Sequence, residues 1–266
     1  MKPGIFGAAA ALLVVTSACG KPEASNVAQP SAKTEPAAIP AYVKQAVADS
    51  GRDAQKMDDA RRKPAEIIAF SGVKPGDKVL ELIPGTGYWT RILSKIVGPT
   101  GHIYAVWPQS YARYSVGNVQ SLQAMAKTAA YSNVSVEVQP TPVLTAPEKL
   151  DLVFTSQNYH DYPAEFMGDN GPSVLNNAVF KMLKPGGTFI VIDHLAAPGT
   201  PLAQTRELHR IDPALVRQET AAAGFEFVGS TDVLRNRADQ YELKVFDPKV
   251  RGKTDKFAYR FRKPAA

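Results

Sequence analysis

From about residue 41 onward, short apolar runs alternate with stretches of helical periodicity. HIYAV at 102–106, NVSVEV at 133–138 and LDLVF at 150–154 have the length and β-branched content of buried strands. Between and beyond them, YWTRILSKI, VQSLQAMAKTA and SVLNNAVFKML repeat apolar positions every three or four residues, which predicts helices. Two further segments, VKPGDKVLEL at 73–82 and LKPGGTFIVID at 183–193, share a punctuation: a Pro-Gly tight turn and then a buried strand. Strands buried on both faces and alternating with helices predict a doubly wound α/β domain with a mostly parallel sheet and helices on both faces. AYVKQAV and RRKPAEIIAF predict helices ahead of the sheet. PALVRQETAAAG predicts a late helix ended by Gly224, and FEFVGS and FAYRFRK predict two closing strands.

The first forty residues break this pattern. Lys2 precedes an apolar run from Ile5 to Val15 and then small residues through Ala18, which reads as a signal peptide over 1–18. That run is shorter than the roughly 20 residues a membrane-spanning helix needs. Cys19 is the single cysteine of the chain, so it has no intramolecular disulfide partner. VVTSAC resembles a bacterial lipoprotein signal, which implies that Cys19 is lipidated and becomes the new N-terminus; simple secretion with cleavage nearby is the alternative. Gly20 after it resembles the outer-membrane sorting pattern, and several acyl chains anchor firmly where one does not. The expected location is the bacterial cell envelope, periplasm-facing and possible at the outer membrane, with the lipid as the one membrane contact. From 19 to 40 the chain is Pro-rich and lacks aromatic residues, the composition of a flexible tether. The folded domain is expected over 41–266.

The charge balance is 31 Lys+Arg against 25 Asp+Glu, a net +6 on 266 residues. The basic residues are spread along the chain, so no nucleic-acid partner is expected. Arg61, Arg62 and Lys63, and likewise Arg235 and Arg237, could line a pocket for an anionic substrate; the default reading is a solvated charged face, and they are not assigned to a site.

In open α/β sheets, ligands bind beyond the carboxyl ends of the strands. Glu81 closes the first strand. Gly85-Thr86-Gly87 then lets backbone approach a ligand closely before a helix begins at about Tyr88. After the fourth strand comes TSQNYHDYP, in which Asn158 can hold a polar group, Tyr159 can donate or stack, and His160 titrates near neutrality and can accept a proton. Asp161 is placed to orient it. Of four histidines, His194 in VIDHL and His209 in LHRID also fall at or after the fifth strand, with Asp193 and Asp212 beside them. His102, at a strand start, is read as structural. The spacing fits no standard zinc motif, and no metal ligand is assigned.

VLELIPGTGYWT is similar to the first motif of class I S-adenosylmethionine-dependent methyltransferases, and LKPGGTFIVID to the segment before their fifth strand. The resemblance covers roughly residues 60–265. More narrowly, IPGTGYWTRI, QNYHDY, LHRID and VFDPKVRGKTD resemble a group of bacterial predicted methyltransferases with secretion signals. The resemblance implies a seven-stranded Rossmann-like methyltransferase sheet whose last strand is antiparallel. It also implies S-adenosylmethionine as cofactor, held by Glu81 and the backbone around Ile83, Gly85, Thr86, Gly87 and Tyr88. Three positions depart from the family pattern. Ile83 replaces a glycine; Trp107 stands where an acid grips the ribose, and is expected instead to stack on adenine or face the sulfonium; Gln139 stands where an Asp holds the adenine amino group and is expected to do so in its place.

The resulting expectation is a methyltransferase acting on a small molecule. His160, Asp161, Tyr159, Asn158, Asp193, His194 and His209 are the candidates for the acceptor side. Two other readings remain open at this level. One is a non-catalytic envelope lipoprotein that keeps the fold and binds another ligand. The other is a hydrolase or metal-dependent enzyme using the His/Asp cluster, although no Gly-x-Ser-x-Gly elbow is present for a serine hydrolase.

Overall fold

A computed structural model describes Met1 and residues 38–168 and 171–265. The signal segment, Cys19 and most of the tether lie outside the described residues. Among the described residues no helix is long and apolar enough to cross a membrane.

Seven strands form a single sheet: β1 Lys78–Leu82, β2 His102–Pro108, β3 Val134–Gln139, β4 Leu150–Ser156, β5 Leu183–His194, β6 Glu226–Thr231 and β7 Lys256–Arg262. Their order is β3-β2-β1-β4-β5-β7-β6. The first five pair in parallel and β7 runs antiparallel to both β5 and β6. The helices are α1 Ala41–Ala48, α2 Asp59–Arg62, α3 Pro64–Ser71, α4 Tyr88–Val97, α5 Gln109–Ala112, α6 Val116–Ala126, α7 Pro172–Met182, α8 Leu202–Leu208 and α9 Pro213–Ala222. They surround the sheet, with α1 against α3 and α4, and α7 against α9. This is the doubly wound architecture the alternation predicts.

The hydrophobic residues of β1, β2, β4 and β5 fill the core: Val79, Leu80, Ile103, Val106, Val153, Phe154, Phe189 and Ile190 are all fully buried. A parallel sheet covered by helices leaves no solvated face, so its strands read as continuous apolar runs. Three local differences from the sequence expectation have physical causes. RRKPAEIIAF is two helices, because Lys63 takes a left-handed φ of 47° between α2 and the proline that starts α3. The LKPGG segment is carried inside β5, whose register against β4 jumps between the Leu150 and Leu152 pairings, instead of forming a turn ahead of it. β2 runs two residues past HIYAV and pairs with β3 out to Pro108 and Gln139.

β1 lies between β2 and β4, so the chain leaves β1 in one direction and returns on its other side at β4. That reversal opens a crevice at the carboxyl ends of β1 and β4, the usual ligand position in this class of fold.

Candidate active site

A cavity of about 560 Å³ occupies that crevice. The segment Glu81–Thr86 at the end of β1 and beyond it, Ser156–Asn158 at the end of β4 and beyond it, His160, Asp161, His194 and His209 line it, with Arg62, Tyr111 and Phe246 closing its sides. Among the described residues, five that are not glycine have a left-handed φ, and three of them, Ile83 (51°), Gln157 (63°) and His209 (52°), line this cavity. Such conformations cost free energy, and they persist where the surroundings over-determine them, often at functional sites.

The loop after β1 keeps a glycine-like backbone at Ile83. Ile83 N donates to Val106 O at 2.8 Å, and Asn158 Nδ2 donates to Ile83 O at 3.2 Å. The isoleucine side chain is buried and belongs to the hydrophobic core. Gly85 and Gly87 differ in purpose. A Cβ added at Gly85, where φ is 57°, would meet nothing within 4 Å, so its backbone faces open space in the cavity. A Cβ at Gly87, where φ is 76°, would meet Leu122 Cδ1 of α6 and Arg91 Nη1, so that glycine serves a left-handed backbone packed closely against α6. Glu81 is almost fully buried and accepts a hydrogen bond from Thr90 Oγ1 at 2.6 Å. Burial pushes its carboxyl pKa up to about 8, partly offset by Thr90 and the Arg62 charge. Tyr88 lines the cavity, with its hydroxyl donating to Asp59 Oδ1 at 2.6 Å and the Arg62 guanidinium 4.6 Å over its ring.

On the opposite side, the turn Tyr159–Asp161 is a single 3-10 turn. Three residues per turn send successive side chains in different directions. His160 reaches the cavity, while its Nδ1 lies 2.7 Å from Asp193 Oδ1 and its backbone N–H donates to Asp193 Oδ2 at 2.8 Å. Burial opposes a charge on this imidazole, but Asp193 and then Asp161 outweigh it and raise its pKa. His194 Nδ1 pairs with Thr254 Oγ1 at 2.8 Å; burial, with the nearby His160 and Lys256, holds its pKa well below the ordinary value, so it stays neutral. His209 brings its ring 5.3 Å from that of His160 and 4.8 Å from Phe246.

Not every expected residue reaches the site. Tyr159 turns into the core, fully buried, where its hydroxyl donates to Glu219 Oε2 at 2.9 Å and accepts from Asn176 Nδ2 at 2.8 Å. Trp107 is also fully buried and does not line the cavity, because the longer β2 carries it inside the sheet. Gln139 pairs with Pro108 at the end of that same ladder and staples the following turn through Thr145 N and O. Asp193 lies behind His160, fully buried and away from the cavity wall. His102 Nε2 pairs with Ser135 Oγ at 2.8 Å, the structural role expected.

Several cavity residues were not singled out from sequence. Tyr111 and Tyr114 stand in the segment after β2, against Phe166 at 5.9 and 5.6 Å between ring centroids, so the aromatic wall comes from the residues following Trp107. Arg62, read from sequence by default as part of a solvated face, instead lines the cavity; its Nε makes no hydrogen bond and stands 3.6 Å from Asp58 Oδ2. A second cavity of about 380 Å³ shares Gln157, His194, Val245 and Phe246 with the first and adds Arg61, Arg251 and Lys256. Lys256 is buried there, and burial together with Arg61 and Arg62 lowers its pKa to about 8. Arg235 is instead clamped by Asp255 at 2.9 Å.

No family model matches the chain. Over 87% of its length it superposes on all of a solved S-adenosylmethionine-dependent methyltransferase from Aquifex aeolicus, with a TM-score of 0.56 and 19% identity. The fold is that of S-adenosylmethionine-dependent methyltransferases. Among curated sequences, the ubiquinone/menaquinone biosynthesis C-methyltransferase UbiE of Ectopseudomonas mendocina is 29% identical over 139 residues, 51% of this chain and 48% of that protein. The chain therefore spans about half the length of the curated relatives it matches. The cyclase SpnF superposes as well, with a TM-score of 0.57 and 16% identity over 81% of this chain and 82% of that one. One fold thus carries different reactions, and the site has to decide between them.

Proposed function

We propose that this protein transfers the methyl group of S-adenosylmethionine to a small molecule. The observation that carries the reading is the single cavity joining the Gly85 loop, whose backbone faces open space, to the imidazole cluster after β4. The loop after β1 takes the amino-acid portion and sulfonium of the cofactor, with Glu81 supplying negative charge near the sulfonium and Arg62 available to a carboxylate. Tyr111 and Tyr114 offer ring faces to the adenosyl group. The acceptor lies toward His160 and His209, and the basic side cavity around Lys256 suits an anionic group on it. Bound in this way, donor and acceptor are aligned, and alignment supplies most of the rate enhancement of a methyl transfer. S-Adenosylmethionine supplies the electrophilic methyl when bound. The chain's own task is to bind, orient and exclude water, and to receive the proton that the acceptor loses. His160 is placed for this, because Asp193 keeps the proton on Nδ1 and leaves Nε2 toward the cavity.

The relatives support the reading by what they are. Export through the signal segment, lipidation of Cys19 and a periplasm-facing location are part of the same proposal, as is membership of the group with secretion signals. Incorporation of labelled palmitate into the full chain, lost in Cys19→Ser, tests the anchor. Titration calorimetry of the full chain with S-adenosylmethionine and S-adenosylhomocysteine tests the site. Saturable one-to-one binding is expected. A folded chain that binds neither compound rejects the proposal and leaves a ligand-binding envelope protein with a methyltransferase fold.

A further inference from the structure

Three lone-pair donors converge at the acceptor end of the cavity. His160 Nε2 and His209 Nδ1 are 3.3 Å apart, His160 Nε2 and Asp161 Oδ1 3.4 Å, and His209 Nδ1 and Asp161 Oδ1 3.6 Å. This is a nearly equilateral triangle. Ligands at 2.0–2.2 Å from a tetrahedral zinc ion lie roughly 3.3–3.6 Å from one another. We propose that His160, Asp161 and His209 form a site for a divalent transition metal of the zinc type, with its remaining coordination positions turned toward the cavity.

Four features support the site beyond the three distances. The hydrogen bond between His160 Nδ1 and Asp193 fixes the imidazole tautomer and leaves Nε2 with a lone pair, the carboxylate–histidine–metal arrangement found behind most ligating histidines. His160 and Asp161 are buried, so two of the three ligands are held rigidly before an ion arrives. The His209 side chain is 30% exposed at the cavity wall, which gives an entry path. Two imidazoles and one carboxylate suit zinc, iron, cobalt or nickel, whereas magnesium and calcium prefer all-oxygen ligands. The ligands come from one 3-10 turn and from the residue that ends α8, so no short sequence motif contains them.

The metal's role rests on the proposed methyl transfer: an acceptor hydroxyl or thiol bound to the ion would give up its proton to solvent on coordination, and the resulting anion would bond to the methyl carbon as the carbon–sulfonium bond breaks, its electron pair returning to sulfur and S-adenosylhomocysteine leaving. His160 Nε2 is then a ligand and not the proton acceptor. Metal binding itself does not depend on that reading.

The test uses the untagged full chain, freed of metal by a chelator and titrated with Co²⁺ while its visible ligand-field absorption is recorded. One equivalent should bind and give the intense bands of a low-coordinate cobalt site. His209→Asn keeps the left-handed backbone, which asparagine tolerates. Tyr111 hydrogen-bonds to the Asp161 carboxylate, and Asp161→Asn keeps an oxygen that can accept from its hydroxyl. Each should weaken cobalt binding by at least about tenfold with an unchanged circular dichroism spectrum. His102→Ala should bind cobalt as wild type does. Absence of saturable binding in the folded wild type would overturn the proposal, and so would undiminished binding in both His209→Asn and Asp161→Asn. Gly85→Val separates the two readings: it should lose S-adenosylmethionine while keeping cobalt. Cobalt binding in a wild-type chain that binds no adenosyl compound would reject the methyltransferase reading alone.

Discussion

Asn158 Nδ2 donates to the carbonyl oxygen of Ile83 at 3.2 Å and to that of Ser156 at 2.8 Å, so one side chain ties the end of β4 to the end of β1 across the crevice. It fastens Ile83, which holds a left-handed φ of 51°. Asn158→Ala should lower stability by about 1–2 kcal/mol, the usual cost of leaving a buried carbonyl unpaired. It should also weaken S-adenosylmethionine binding, because the loop loses its fixed path. Chemical denaturation and calorimetry on the same protein check both.

Gly85→Val and Gly87→Ala should fail in different ways. The first adds a side chain into open cavity space and should abolish cofactor binding in a folded protein; its strain at a left-handed φ costs about 1–2 kcal/mol. The second drives a Cβ into Leu122 and should reduce the melting temperature more than it reduces affinity in the molecules that remain folded.

Glu81 gives a pH dependence with a definite sign. Its folded pKa of about 8 lies above the ordinary 4.5, so the native state holds more protons than the unfolded state between those values. Stability contributed by this group therefore falls as pH rises from about 4.5 to about 8. Glu81→Gln should remove that slope, which denaturation at pH 5 and pH 8 will show. A cationic cofactor beside Glu81 favours the carboxylate. Binding of S-adenosylmethionine at pH 7 should release protons, measurable as a buffer-dependent binding enthalpy.

Arg210 and Asp239 form a buried pair, with Nη1 donating to Oδ2 at 2.7 Å and Nη2 to Oδ1 at 3.1 Å, while Arg210 Nε donates to Leu243 O at 2.9 Å. They pin the long connection between β6 and β7, which carries Phe246 to the cavity. Removing one partner leaves an uncompensated buried charge. Asp239→Ala should cost about 3–5 kcal/mol in a denaturation experiment.

Tyr159→Phe should lose about 1 kcal/mol of stability through the broken hydrogen bonds to Glu219 and Asn176. Cofactor affinity and turnover should be unchanged, since the hydroxyl lies in the core. A large fall in turnover would return this residue to the reaction.

What the chain by itself determined is the layered architecture and the location of the chemistry. Periodicity separates strands from helices because a covered parallel sheet needs uninterrupted apolar runs and a surface helix needs only a stripe. The strand ends then point to 81–88 and 155–161, and both segments do line the crevice. Tertiary structure decided which side chains face it. Trp107 and Gln139 lie within the sheet because β2 and β3 pair further than their apolar runs show, and pairing length depends on the partner strand. Tyr159 and His160 are neighbours in sequence, yet a 3-10 turn sends one into the core and the other into the cavity. Arg62 and Tyr111 reach the site from helices whose placement depends on long-range packing. The convergence of His160, Asp161 and His209 belongs to the same class of fact. Separations of 48 and 49 residues are closed by the sheet and the loops it supports, and no local pattern records them.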